Sequence, residues 1–96
     1  MKTDVIFRWD KGDCIALFPK ETGTANAATC LCYVQMGGHG SADINGCMQG
    51  SRPATEQEKA PLRRELEQIG YTLKERKRTS YADYLSRKNE ILAIEK

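Results

Sequence analysis

The sequence predicts a small α+β domain, a mostly antiparallel sheet in the order β-β-β-α-β-α with a helix packed on one face. Near the N-terminus, two apolar runs rich in β-branched and aromatic residues flank a short glycine-containing turn, as in a hairpin. Further on, a Thr-x-x-Glu box precedes leucines at helical spacing and a glycine follows them, the mark of one bounded helix.

The elements follow in order. Val5-Ile6-Phe7-Arg8-Trp9 reads as a strand and Asp10-Lys11-Gly12-Asp13 as its turn. Cys14-Ile15-Ala16-Leu17-Phe18 is the second strand, ended by Pro19, which cannot donate to a ladder. Lys20 to Thr29 is polar and rich in small residues, a loop. Cys30 to Met36 is the third strand; alternation puts Cys30, Cys32, Val34 and Met36 on one face and Leu31, Tyr33 and Gln35 on the other. A glycine-rich loop is expected from Gly37 to Gly50.

Thr55 and Glu58 form a capping box, Leu62, Leu66 and Ile69 repeat at helical spacing, and Gly70 stands at the stop. Pro61 falls early enough in this helix to cost few amide bonds. Tyr71 to Arg78 alternates as a fourth strand whose charged far half leaves the sheet or forms an edge. Thr79 or Ser80 can cap a last helix, along one side of which lie Tyr81, Tyr84, Leu85, Lys88, Ile91, Leu92 and Glu95. The chain is thus read as one domain over 1–78 with a C-terminal helix, 79–96, that is peripheral or partner-binding.

Ninety-six residues support one modest core, so pairing with a second copy or a partner is in keeping with the size. No apolar run reaches the length of a membrane span, and Asp4, Arg8 and Asp10 interrupt any signal-peptide core. A cytoplasmic location is expected, with no membrane partner and with the four cysteines as thiols. Residues 1–51 carry four Lys/Arg against five Asp/Glu, whereas residues 52–96 carry eleven against eight, so any basic surface lies in the second half.

The residue types present bear on five kinds of chemistry. Cys30, Cys32, His39 and Cys47 are the right types for zinc, but only one residue lies between Cys30 and Cys32 where knuckles need two to four, and no second close pair exists. Cys32 or Cys47 with His39 and Asp43 could supply a nucleophile, base and orienting group, though such sets converge in space rather than along one loop. The glycines could form a phosphate-binding nest, but no helix start or Gly-Lys-Ser/Thr follows them directly. Arg63, Arg64, Lys74, Arg76, Lys77 and Arg78 could contact nucleic-acid phosphates, with Glu65, Glu67 and Glu75 interleaved against them. Tyr81, Tyr84, Leu85, Ile91, Leu92 and Ile94 could dock on another protein or on a second copy, or pack on the parent sheet.

Ile15 to Pro19, Cys32 to Asp43 and Pro53-Ala54-Thr55 leading to Leu62 through Tyr71 together resemble small uncharacterised proteins carried by bacteriophages and other mobile elements of gut bacteria. The resemblance covers most of residues 5–78 and leaves the last helix outside. It implies a soluble accessory protein with no assigned activity, and it makes His39 and its glycines the shared surface feature.

The expected function is therefore a non-enzymatic accessory module acting through protein contact. Its binding surface is Tyr33, Gly37, Gly38, His39, Gly40, Ser41 and Asp43, together with the last helix. A nucleic-acid module using the basic residues is the alternative, and a zinc- or cysteine-dependent site around His39 the third. No catalytic residue, metal ligand or cofactor is assigned.

Overall fold

Lys11 and Gly12 both take positive φ, 50° and 89°, the backbone of a two-residue type I′ turn. They join β1 (Thr3–Asp10) to β2 (Asp13–Phe18) in the hairpin the sequence predicts. The computed structural model describes residues 2–35 and 37–94. The remaining elements are β3 (Thr29–Val34), β4 (Gly38–Asp43), α1 (Ile44–Gly50), β5 (Arg52–Pro53), α2 (Glu56–Gln68), β6 (Leu73–Glu75) and α3 (Tyr81–Ile94). The sheet runs β4-β3-β2-β1-β5, all antiparallel, and β6 adds in parallel to the first half of β1. The fold is α+β.

The expected glycine-rich loop from Gly37 to Gly50 is instead a strand and a helix. β4 pairs with β3 over its full length, from Val34↔Gly38 to Thr29↔Asp43. Gly-His-Gly-Ser-Ala-Asp has little intrinsic strand preference; the ladder offered by β3 overrides it. Helix α1 has two glycines and no side-chain cap bond, and it holds through Ile44, which is buried. Ile44, Cys47 and Met48, at i, i+3 and i+4, were the signal for it. Instead of the strand expected over 71–78, only Leu73–Glu75 pair.

Each face of the sheet has its own core. On one, Val5, Phe7, Ala16, Phe18 and Tyr33 pack under Leu62 and Leu66 of α2, with Leu31, Tyr71 and Leu73 at the margin. On the other, Ile6, Leu17, Cys30 and Cys32 pack against Ile44, with Cys47 and Met48 beside them. Alternation along β3 thus separates Leu31 and Tyr33 from Cys30 and Cys32, as expected; Met36 lies outside the described residues.

Helix α2 begins at the predicted capping box, with Thr55 Oγ1 accepting from the Glu58 amide and Glu58 accepting from the Thr55 amide. It ends in a Schellman motif: Gly70 takes φ 115°, its amide donates to the Glu67 carbonyl, and the Tyr71 amide donates to Leu66.

Helix α3 docks differently from the others. None of its described side chains enters either apolar cluster. The side facing the domain carries Asp83, fully buried, and Arg87, while Tyr81 and Leu92 are 74% and 48% exposed. The apolar stripe seen in the sequence is therefore not the packing face; Glu95 and the Ile94 side chain lie outside the described residues. Arg87 donates to the carbonyls of Pro19 and Ala27 at 2.6 and 2.8 Å. Ser80 caps the helix, its amide donating to Asp83 at 2.8 Å.

Candidate functional site

The backbone of β4 is oriented by the hairpin far across the sheet. A two-residue hairpin closes on a hydrogen-bonded pair, here Asp10↔Asp13. Alternation then turns Ala16 and Phe18 toward β3, Leu31 and Tyr33 toward β2, and Cys30, Cys32 and Val34 toward β4. On β4, Gly38, Gly40 and Ala42 bond inward, so the N–H and C=O groups of His39 and Ser41 point away from the sheet. The opposite edge obeys the same count: Val5 O accepts from Arg76 and Phe7 O from Ala54. Among the described residues no backbone hydrogen bond reaches the outer side of His39 or Ser41.

His39 and Ser41 place their side chains on the α2 face, beside their β3 partners Tyr33 and Leu31. His39 stands opposite Tyr33 in a non-hydrogen-bonded pair, the kind that brings side chains closest. Their rings meet edge to face at 4.9 Å. Tyr71, set in place by the Schellman turn, stacks on buried Phe18 at 5.1 Å, and its hydroxyl lies 2.8 Å from His39 Nε2. The imidazole remains exposed while bonded to its own scaffold. Four segments thus converge on it: β2 through Phe18, β3 through Tyr33, β4 itself and the end of α2 through Tyr71.

The surrounding electrostatics favour neutral phenols. A hydrogen bond to the Glu65 carboxylate raises the Tyr33 phenol, and burial then adds to it. Burial, followed by the charge of Glu21, raises Tyr71. Glu21 is itself raised, by burial and by Glu90, while His39 pulls it back down, and its Oε2 has no hydrogen-bond partner among the described residues. Tyr71→Phe removes the hydroxyl without disturbing the stack, so a loss of about 0.5–1.5 kcal/mol is expected by denaturant unfolding. The His39 ring resonances should move with it.

The cysteines stand elsewhere. Cys30, Cys32 and Cys47 belong to the core on the opposite face from His39, so the ligand set and the nucleophile–base set raised from the sequence are not assembled. Among the described residues no group of three His, Cys, Asp or Glu is placed to hold a metal ion. Burial pushes the thiols up, Cys30 to about 12 and Cys14 to about 11, with Cys32 and Cys47 raised in the same direction. A thiol so placed is a poor nucleophile. Iodoacetamide at pH 8 should therefore alkylate Cys30 in the folded protein roughly a hundredfold more slowly than in the unfolded chain, read by mass spectrometry.

The six basic residues are not equally free. Arg76 donates to Asp83 Oδ1 and Oδ2 at 2.7 and 2.8 Å and to Asp4 at 2.9 Å. Arg63 is held at 3.0 Å by Glu75, which also takes Lys59 at 2.7 Å. Arg64, Lys74, Lys77 and Arg78 are exposed and have no ion-pair partner among the described residues. No helix among the described residues is long and apolar enough to cross a membrane. Compared with known proteins, the chain matches no family model, no curated protein and no solved structure.

Proposed function

We propose that the chain is a non-enzymatic binding module whose contact surface is the free edge of β4, with His39 and its aromatic surround as the side-chain determinant. One observation carries this reading: a fully paired six-residue strand closes the sheet, yet its outward backbone groups at His39 and Ser41 are unpaired among the described residues. Such an edge is a template for another strand. The other edge is defended. Its strands have two and three residues, and one contains Pro53. β4 has neither proline nor lysine.

The binding residues expected from the sequence, Gly37 to Asp43 with Tyr33 beside them on β3, therefore act as an edge strand and its approach rather than as a loop. The resemblance to mobile-element proteins supports an accessory role in that setting. Protein contact is favoured over nucleic acid because two of the six candidate cations, Arg63 and Arg76, are committed to scaffold ion pairs.

The test compares wild type with His39→Ala and Ser41→Lys in quantitative capture of partner protein, both from a host extract and of an untagged copy of the chain, beside their melting curves. Both variants should lose captured protein, Ser41→Lys while melting close to wild type and His39→Ala while staying folded, with a loss of about 1 kcal/mol from its bond to Tyr71. Undiminished capture by both refutes the assignment of the surface, and unfolding of both makes these residues structural. Salt-sensitive binding to single- or double-stranded nucleic acid, lost in Lys77→Ala with Arg78→Ala, would favour the alternative.

A further inference from the structure

We propose that the occupant of the β4 edge is the same edge of a second copy, paired antiparallel about a two-fold axis through Ser41. This rests on the reading of β4 as a contact edge and names its partner. Residues presenting outward backbone groups are odd-numbered, so a two-fold pairing that joins them by hydrogen bonds is centred on Ser41 or on Gly40. Centring on Ser41 places Ser41 opposite its own copy and His39 directly opposite the other copy's Asp43. Directly opposed residues in an antiparallel pair project from the same face.

The chain thus meets itself with unlike polar groups, an imidazole against a carboxylate, twice per dimer. His39 is held to Tyr71 through Nε2 alone, and the Asp43 carboxylate, which lies over Gly46 of α1, has to turn outward from there to meet it. His39 and Asp43 are exposed, and Asp43 makes no cap bond to α1. Centring on Gly40 sets His39 opposite Ser41 and loses that complementarity. The side chains turned to the other face, Gly38, Gly40 and Ala42, are small and let the backbones approach. Two six-stranded sheets then become one continuous sheet, and two otherwise exposed edges disappear.

Sedimentation equilibrium under reducing conditions, from micromolar to millimolar chain, tests this. Wild type should pass from the 10.8 kDa chain to twice that mass. His39→Asp sets carboxylates opposite each other at two symmetric places and should weaken association about tenfold. Combining His39→Asp with Asp43→His exchanges the pair and should restore it. Ser41→Pro removes an outward amide and should leave a monomer; if it does not fold, the exchanged pair still decides.

A wild type that stays monomeric at millimolar concentration overturns self-pairing. So does a dimer indifferent to His39→Asp, or an exchanged variant no better than the single one. The edge reading fails separately: if capture of other proteins still depends on His39 and Ser41 in a monomeric chain, β4 remains a contact edge and only the identity of its partner is wrong.

Discussion

Replacing Arg76 with alanine is expected to cost about 3–5 kcal/mol, because it strands Asp83, a carboxylate with no solvent exposure, without its counter-ion. Arg76 links three elements, since Asp4 lies on β1, Asp83 on α3, and Arg76 itself directly follows β6. The variant should lose α3 docking first, seen as early amide exchange over residues 81–92, and the global denaturant midpoint should fall with it. Replacing both Arg76 and Asp83 with apolar residues of similar volume should recover much of the loss. A loss below about 1 kcal/mol in Arg76→Ala would show that the network is solvent-screened.

The same pair gives the chain an acid-sensitive side. Burial raises the Asp83 carboxyl, but its bonds to Arg76 and Ser80 outweigh this and hold it below its ordinary 3.8. A carboxyl depressed in the folded state contributes stability that is complete above its unfolded value and is lost as pH falls through the folded one. Stability should therefore drop in acid below about pH 4, and Arg76→Ala should flatten that drop.

Phe18→Ala is the second large change, with an expected cost of about 3–5 kcal/mol. Phe18 is fully buried beneath α2 and supports Tyr71, which in turn bonds His39. Truncation opens a cavity and also removes the support of the imidazole. Urea unfolding should show the lower midpoint, and the His39 ring resonances should broaden or move in the still-folded fraction. Leu85→Ala, on the exposed side of α3, should cost well under 1 kcal/mol by the same measurement.

Much of the scaffold was legible because its signals are local. The Asp10–Asp13 turn, the Thr55/Glu58 box and the Gly70 stop each depend on a few adjacent residues, and each appears where the pattern puts it. β4 was hidden because half of it is glycine and alanine, residues chosen by the neighbour they pair with rather than by any preference of their own. The pairing inside the basic run was hidden for a related reason. Arg76 stands among cations in sequence, but its partner Asp4 is 72 residues away. The apolar stripe of α3 does not mark its docking face, because docking here is achieved by two buried charged side chains, a pattern no hydrophobic periodicity reports. At the site itself, glycines around a lone histidine marked the right place, whereas the convergence of Phe18, Tyr33 and Tyr71 on it arises only when the sheet and the α2 terminus are assembled.

Residue-resolved amide exchange on dilute wild type, where the chain is monomeric, is the most direct test of β4 as an open edge. The amides of His39 and Ser41 should exchange quickly while those of Gly38, Gly40 and Ala42, bonded to β3, are protected. Slow exchange at His39 and Ser41 in the monomer, or equal protection along the strand, would mean that the edge is already occupied and would contradict the account.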